Sequence, residues 1–80
     1  MLLHWRNKQN ARYYTVSLQQ DLFGDWALSL FWGSDEGKNG RVVHQPVASE
    51  KEGLLAIRDI SARREAHGYE LVDVNFQSRR

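Results

Sequence analysis

The chain has 80 residues, 41% of them hydrophobic, and 11 lysines and arginines against 10 aspartates and glutamates leave a formal net charge of +1. These values indicate one small globular domain, residues 1–80, with a single thin core, and they exclude a strongly basic nucleic-acid binder. The chain has no cysteine, which excludes disulfides and thiolate metal sites, and no apolar run approaches the roughly 20 residues of a membrane span, so we expect a cytoplasmic protein without membrane contact.

Alternating apolar residues predict four strands before the single helix. The predicted strands are residues 2–6, 12–18, 26–32 and 41–47, and the intervening residues 7–11, 19–25 and 33–40 are predicted turns. In the second turn we expect Gly24 to take a positive φ and Leu22 or Phe23 to plug the end of the sheet. Pro46 indicates that the fourth strand lies near an edge of the sheet. An exposed edge strand can pair with another copy, so the sequence is compatible with a monomer or a weak homodimer.

The alternation also predicts which side chains share a face of the sheet. Within each strand, the residues expected to share one side are Tyr14, Val16 and Leu18 of the second strand, Trp26, Leu28, Leu30 and Trp32 of the third, and Arg41, Val43 and Gln45 of the fourth. Trp32 therefore continues an apolar stripe. Its alternatives are a core position and a half-exposed position at the end of the strand, where the indole can stack on a ligand.

A helix is predicted from about residue 50 to residue 67, because Ser49 and Glu52 form a capping box and Gly68 is a suitable stop. Its buried stripe is expected to contain Gly53, Ala56, Ile57 and Ile60, and its arginines Arg58, Arg63 and Arg64 are expected to be solvated. A last strand is predicted over residues 69–76, in which Val72, Val74 and Phe76 alternate with polar residues, before a frayed tail at residues 78–80. The order β-β-β-β-α-β indicates an α+β fold, in which about four or five antiparallel strands carry one helix on one face.

Patterns typical of catalysis and of metal or cofactor binding do not occur in the sequence. His4, His44 and His67 fall on three separate elements, and the segment 37–40 lacks the length and the hydroxyl residue of a phosphate-binding loop. We therefore expect no catalytic residues, no metal ligands and no cofactor, and a protein that is not an enzyme.

Four short motifs occur in register over roughly residues 10–70. They are Asn10-Ala-Arg12-Tyr-Tyr14-x-Val16-x-Leu18, Asp21-Leu-Phe-Gly24, Trp26-x-Leu28 and Trp32-Gly33. In order and spacing the chain resembles the WGR domain, a module of poly(ADP-ribose) polymerases that also occurs as small stand-alone bacterial proteins. The resemblance implies a twisted antiparallel sheet with a packed helix, and contact with DNA at a strand break. The family's third signature residue is Arg, whereas this chain has Ser34.

The resemblance assigns the candidate nucleic-acid contacts. Trp32 and Gly33 match the family signature, and Asn10 and Arg12 resemble an Asn-x-Lys segment of the family. Lys38 and Arg41 flank the same turn and are the cations expected to replace the missing arginine, whereas Asp35 and Glu36 would repel a phosphate there.

Two functions are compatible with these residues. The first is a non-enzymatic module that binds DNA ends or nicks weakly through a surface formed by Trp32 and the basic residues. The alternative is a protein-interaction or regulatory module that has lost DNA binding, which the near-neutral charge and Ser34 favour.

Overall fold

The computed structural model of the protein describes residues 1–35 and 40–75, which form one antiparallel sheet and one helix. The elements are β1 (Leu2–Asn7), β2 (Arg12–Gln20), β3 (Trp26–Ser34), β4 (Arg41–Val47), α1 (Glu50–Ala66) and β5 (Glu70–Asn75). The five strands lie in the order β4-β3-β2-β1-β5, so β4 and β5 are the edges. The predicted α+β fold, its element order and the edge position of Pro46 are confirmed.

The strand register places the apolar residues of neighbouring strands opposite one another. Leu3 pairs with Val16 and Val16 with Leu30, and the next row joins Trp5, Tyr14 and Trp32. These side chains occupy the face on which α1 packs, here called the helix face, and the other side of the sheet is called the open face. The buried apolar core consists of Leu3, Trp5, Val16, Leu18, Leu28, Leu30, Ile57 and Ile60. The predicted sharing of faces along β2, β3 and β4 is therefore confirmed.

The helix begins and ends at the predicted residues. The Ser49 hydroxyl accepts a hydrogen bond from the Glu52 N–H at 3.1 Å, which caps α1, and Gly68 follows the helix with φ of 88°. The backbone oxygen of His67 accepts a further hydrogen bond, at 3.1 Å, from the side-chain amide of Asn7. Asn7 was predicted in a turn, but this contact and its 5% exposure place it at the buried end of β1.

The helix approaches the sheet most closely at Gly53. A Cβ atom at this position would lie 2.5 Å from Cδ1 of Leu18, whose side chain is buried. Any larger residue must therefore push the helix away from β2 or force Leu18 out of its packing.

Gly53→Ala is expected to lower the free energy of unfolding by about 1 kcal/mol, although alanine is the better helix former by about 1 kcal/mol, because overpacking a core costs roughly 1–3 kcal/mol. Thermal denaturation of the purified variant measures this. In a Leu18→Ala background the obstructing side chain is gone, so the same substitution should become neutral or stabilising. A stabilising effect in both backgrounds would show that the close approach does not constrain residue 53.

The last strand departs from its predicted alternation. β5 pairs with β1 through His4 and Asp73, but the next pair joins Trp5 to Leu71, so the register shifts and Val72 has no register partner in β1. A bulge of this kind breaks the period of two on which the alternation of Val72 with Val74 depended. The last predicted residue of that strand, 76, and the tail at 77–80 lie outside the described residues.

The turn between β2 and β3 closes differently from the expectation. Gly24 has the predicted positive φ, at 87°, but the Leu22 side chain is 100% exposed and that of Phe23 is 89% exposed. The carboxylate of Asp21 accepts hydrogen bonds from the N–H groups of Phe23 and Asp25, at 2.8 and 2.9 Å. This tight closure leaves both apolar side chains in solvent, and the predicted plug is wrong.

In the part of the chain that the structure describes, no helix is both long enough and apolar enough to cross a membrane.

Candidate nucleic-acid interface

Three strands bring aromatic and basic residues together at one end of the helix face. Tyr14 of β2 pairs with Trp32 of β3, and Trp32 pairs in turn with Arg41 of β4. Arg12 is two residues before Tyr14 on the same face, diagonal to Trp32. The last turn of α1 adds Arg64. These five residues, Arg12, Tyr14, Trp32, Arg41 and Arg64, are called the Trp32 corner below.

Aromatic contacts hold Trp32 in place. Its ring stacks on that of Tyr14, with centroids 5.7 Å apart and an angle of 13° between the planes. Tyr14 is itself braced edge-on by the buried Trp5 at 6.3 Å and by Tyr69 at 6.5 Å. Trp32 is half-buried, so it belongs to the packed stripe and also presents part of its indole to solvent. The core position and the half-exposed position, which were alternatives for Trp32 in the sequence, are therefore combined in one side chain.

Arg64 is a member of this cluster that the sequence interpretation placed in solvent. Its guanidinium carbon lies 4.4 Å from the ring centroid of Tyr14 and 5.2 Å from that of Tyr69, which are cation–π distances. The side chain is half-buried, and its Nε has no hydrogen-bond partner among the residues that the structure describes.

Helical spacing explains the position of Arg64 and could have revealed it. The buried helix positions are Gly53, Ile57 and Ile60, and Arg64 lies four residues beyond Ile60 on the same stripe. Arg58 lies off this stripe and is exposed, as predicted. The prediction of a solvated Arg64 is wrong, because residue 64 lies on the buried stripe of the helix although its side chain is charged.

Arg12 and Arg41 supply exposed cations on either side of Trp32. Next to Arg41, an open depression of about 470 Å³ follows the β4 edge and is lined by Trp32, Gly40, Arg41, Val42 and Val43. Its volume falls in the range of about 300–1,000 Å³ that is usual for sites of small molecules. The corner therefore combines a partly apolar hollow with positive charge.

Asn10 and Gly33 have structural roles near this corner: Asn10 shapes a turn, and Gly33 leaves space for a neighbouring side chain. The side-chain oxygen of Asn10 accepts a hydrogen bond from the Arg12 N–H at 3.2 Å, which shapes the turn that leads into β2. At Gly33 a Cβ atom would come within 3.0 Å of the Tyr13 hydroxyl oxygen and 3.2 Å of the Gly40 Cα, so glycine allows Tyr13 to lie across the strands on the open face. Lys38 lies outside the described residues.

Asp35, the acidic residue nearest to Trp32-Gly33, forms an ion pair on the opposite side of the sheet from the Trp32 corner. The Asp35 carboxylate forms an ion pair with the guanidinium of Arg6, a residue that pairs with Tyr13 and so belongs to the open face. The expected repulsion of a phosphate by Asp35 is thereby reduced, since its charge is compensated by a cation on the other side of the sheet.

Comparison with known proteins adds one relative. The chain is 30% identical over 63 residues to the "Uncharacterized protein y4dW" of Sinorhizobium fredii (strain NBRC 101917 / NGR234), and the match covers 79% of this chain. The chain spans about 30% of that relative's length. No protein-family model matches the sequence, and no solved structure matches it.

Proposed function

We propose that this protein is a non-enzymatic module that binds DNA ends or nicks through the Trp32 corner. The observation that carries the proposal is the convergence of Arg12, Arg41 and Arg64 around the stacked rings of Tyr14 and Trp32 on one face and at one end of the sheet. The proposal includes membership of the WGR family, whose signature the Trp32-Gly33 pair resembles.

Each group in the corner has a chemical role in such a complex. The exposed Arg12 and Arg41 are suited to pair with phosphate oxygens, because guanidinium groups bind phosphate through two parallel hydrogen bonds. The exposed part of the Trp32 indole offers an apolar surface on which an unstacked base or sugar can lie. Base stacking on aromatic side chains contributes about 1–3 kcal/mol per base in proteins that bind single strands.

The preference for ends and nicks follows from the apolar part of the corner. An intact duplex presents phosphates and groove edges but keeps the faces of its bases stacked, so Trp32 has no base face to contact. A blunt end exposes one such face beside phosphates, and a nick exposes one when the duplex bends open at the break. Because 10 acidic residues offset the 11 basic ones and leave a net charge of +1, the affinity should be low and should depend on this stacking contact.

Ser34 affects the strength of binding more than the shape of the corner. It pairs with Arg12 across β2 and β3 and lies on the same face as Trp32. In the family an arginine stands at this position, so this chain has one cation fewer beside the indole. Arg12, Arg41 and Arg64 are the described residues that supply positive charge to the corner instead.

Fluorescence anisotropy on three DNA molecules tests the proposal: a nicked duplex, a blunt-ended duplex and an intact closed circle, each titrated over a range of salt concentrations. The expected result is measurable binding near 50 mM salt to the nicked and blunt molecules, and weaker binding to the closed circle, with a linear fall of log K against log salt. Undetectable binding to all three would refute the proposal and leave the alternative, a protein-interaction module that has lost DNA binding.

Ser34→Arg is expected to strengthen binding to nicked DNA, because it places a guanidinium opposite Arg12 and two residues from Trp32 on the same face. One additional phosphate contact should steepen the salt slope by about 0.9. The matched control is Ala62→Arg on the exposed side of the helix, which changes the net charge equally. If both variants bind as the wild type does, residue 34 does not face the DNA. Neither the DNA-binding function nor the loss of DNA binding through Ser34 would then be supported.

A further inference from the structure

The tip of the β2–β3 hairpin presents the most exposed apolar side chains among the described residues. Leu22 is 100% exposed and Phe23 is 89% exposed. Isolated apolar residues on a surface are common, but two adjacent large ones at the end of a hairpin form a projecting apolar knob. The closure of the turn depends on Asp21 and Gly24 and requires no apolar residue at the two positions between them.

Hydrogen bonds hold the backbone of the knob in place before any partner arrives. The Asp21 carboxylate accepts two backbone hydrogen bonds, the Asp21 N–H donates to the Asp25 oxygen at 2.8 Å, and the Gly24 N–H donates to the Asp21 oxygen at 3.1 Å. The side chain of Gln20 donates a further bond to the Gly24 oxygen at 3.0 Å. Little backbone conformational entropy is therefore lost when the tip is bound, which favours association.

The charge around the knob is negative. Asp21 and Asp25 flank Leu22 and Phe23, and both acidic residues are exposed. A partner that covers the knob should therefore offer an apolar hollow with a basic rim. The same charge disfavours an anionic lipid surface as the partner, since membranes attract basic and not acidic segments.

A hollow of this kind occurs at the other end of the same sheet. The depression along the β4 edge combines the apolar surfaces of Trp32 and Val43 with the exposed cation of Arg41, and it is also lined by Val42, which pairs with Phe31 on the open face. Its volume of about 470 Å³ leaves room for apolar side chains. Because β2 and β3 are nine residues long, knob and depression lie roughly 27 Å apart, and one molecule cannot fill its own depression.

We propose that the partner is a second copy of this chain, whose Leu22–Phe23 knob inserts into the depression beside Trp32 and Arg41. The contact joins two different surfaces, so a pair of copies keeps one free knob and one free depression, and the association extends head to tail. A small interface of this kind is weak. Since it uses the Trp32 corner, DNA bound at the corner and a second copy exclude each other.

Sedimentation equilibrium over increasing protein concentration, up to about 1 mM because small interfaces associate weakly, measures this association. The wild type should change from the 9.3 kDa monomer to a series of larger species. Phe23→Ser and Arg41→Glu should each remain monomeric, with association weakened about tenfold or more. Arg58→Glu, an equal charge change on the exposed side of the helix, should associate like the wild type.

The decisive arm mixes the two defective variants. The Phe23→Ser protein keeps an intact depression and the Arg41→Glu protein keeps an intact knob, so the mixture should form 1:1 complexes that grow no further. A monomeric wild type, self-association that survives Phe23→Ser, or a mixture without complexes would each overturn the proposal. Sedimentation of the wild type with anionic vesicles, lost in Phe23→Ser, would overturn it in favour of a lipid surface.

DNA binding by Phe23→Ser separates this inference from the proposed function. The substitution lies at the far end of the sheet from the corner and alters no described core contact, so its melting temperature and its affinity for nicked DNA should match those of the wild-type monomer. Addition of nicked DNA to the associated wild type should return it to single copies. Larger species that persist with DNA bound would refute the shared use of the corner while leaving DNA binding itself intact.

Discussion

Arg12→Ala/Arg41→Ala should reduce the slope of log K against log salt for nicked DNA by about 1.8, because each lost phosphate contact contributes about 0.9. At low salt the affinity should fall roughly tenfold or more for each arginine, since hydrogen bonds to charged groups contribute about 1.5–3 kcal/mol. Both side chains are exposed, so the melting temperature should change little. Anisotropy titrations at several salt concentrations provide the measurement.

The matched control removes the same charge elsewhere. Arg58→Ala/Arg63→Ala takes two positive charges from the exposed side of the helix and leaves the corner intact. If this control lowers the affinity and the slope as much as the corner variant does, binding responds to net charge alone. That outcome would contradict a specific role for Arg12 and Arg41.

Trp5→Ala should lower the free energy of unfolding by about 3–5 kcal/mol, the cost typical of truncating a buried aromatic residue to alanine. Trp5 is 0% exposed and braces Tyr14, so its loss opens a cavity beneath the Trp32 corner. Small domains have total stabilities near the lower end of the usual 5–15 kcal/mol, and the variant should therefore be partly unfolded at room temperature. Urea denaturation followed by circular dichroism measures the loss.

Trp5→Phe separates packing from hydrogen bonding at the same site. The indole Nε1 of Trp5 is buried and has no hydrogen-bond partner within residues 1–35 and 40–75. Phenylalanine removes this unsatisfied donor, whose burial costs about 1–3 kcal/mol, and keeps most of the apolar volume. We expect Trp5→Phe to lose far less stability than Trp5→Ala. Equal losses in the two variants would show that the indole nitrogen is satisfied in solution.

The fold was predictable because the local signals agree with one another. The alternation along β2 and β3 predicts the helix face, and Ser49 and Gly68 delimit the helix as the structure shows it. The errors occur at residues whose local structure is determined by contacts with distant parts of the chain. Asn7 reads as a turn residue until the end of the helix provides a partner for its amide, and the bulge at Val72 depends on how β5 meets β1.

The candidate site was predictable only in part. The period of two places Arg41 on the same side of its strand as Val43, but its position beside Trp32 and the stacking of Trp32 on Tyr14 both depend on the register between strands. Arg64 was assigned to solvent from its residue type, although its helical spacing from Ile57 and Ile60 puts it on the buried stripe. Arg64 is stabilised by the ring of Tyr14, from a distant strand, and by that of Tyr69, five residues further along the chain, and residue type alone does not reveal this.

The hairpin tip shows how a hydrophobic residue can mislead. Leu22 and Phe23 were expected to cover the end of the sheet, because apolar side chains in a small domain usually join its core. The hydrogen bonds of Asp21 close the turn too tightly for either side chain to reach back. Their exposure therefore makes them candidates for contact with another molecule.

A nitrogen-15 NMR titration with nicked duplex DNA shows whether DNA binds at the Trp32 corner, because it reports where the ligand lies on the sheet. We expect the largest shifts at the indole N–H of Trp32, at the backbone of Arg12 and Arg41, and at the side-chain Nε–H of Arg64. Thr15 and Ser29 lie in the open-face register and should change little. Shifts confined to the open face, or no shifts at saturating DNA, would contradict the assignment of the Trp32 corner as the binding surface.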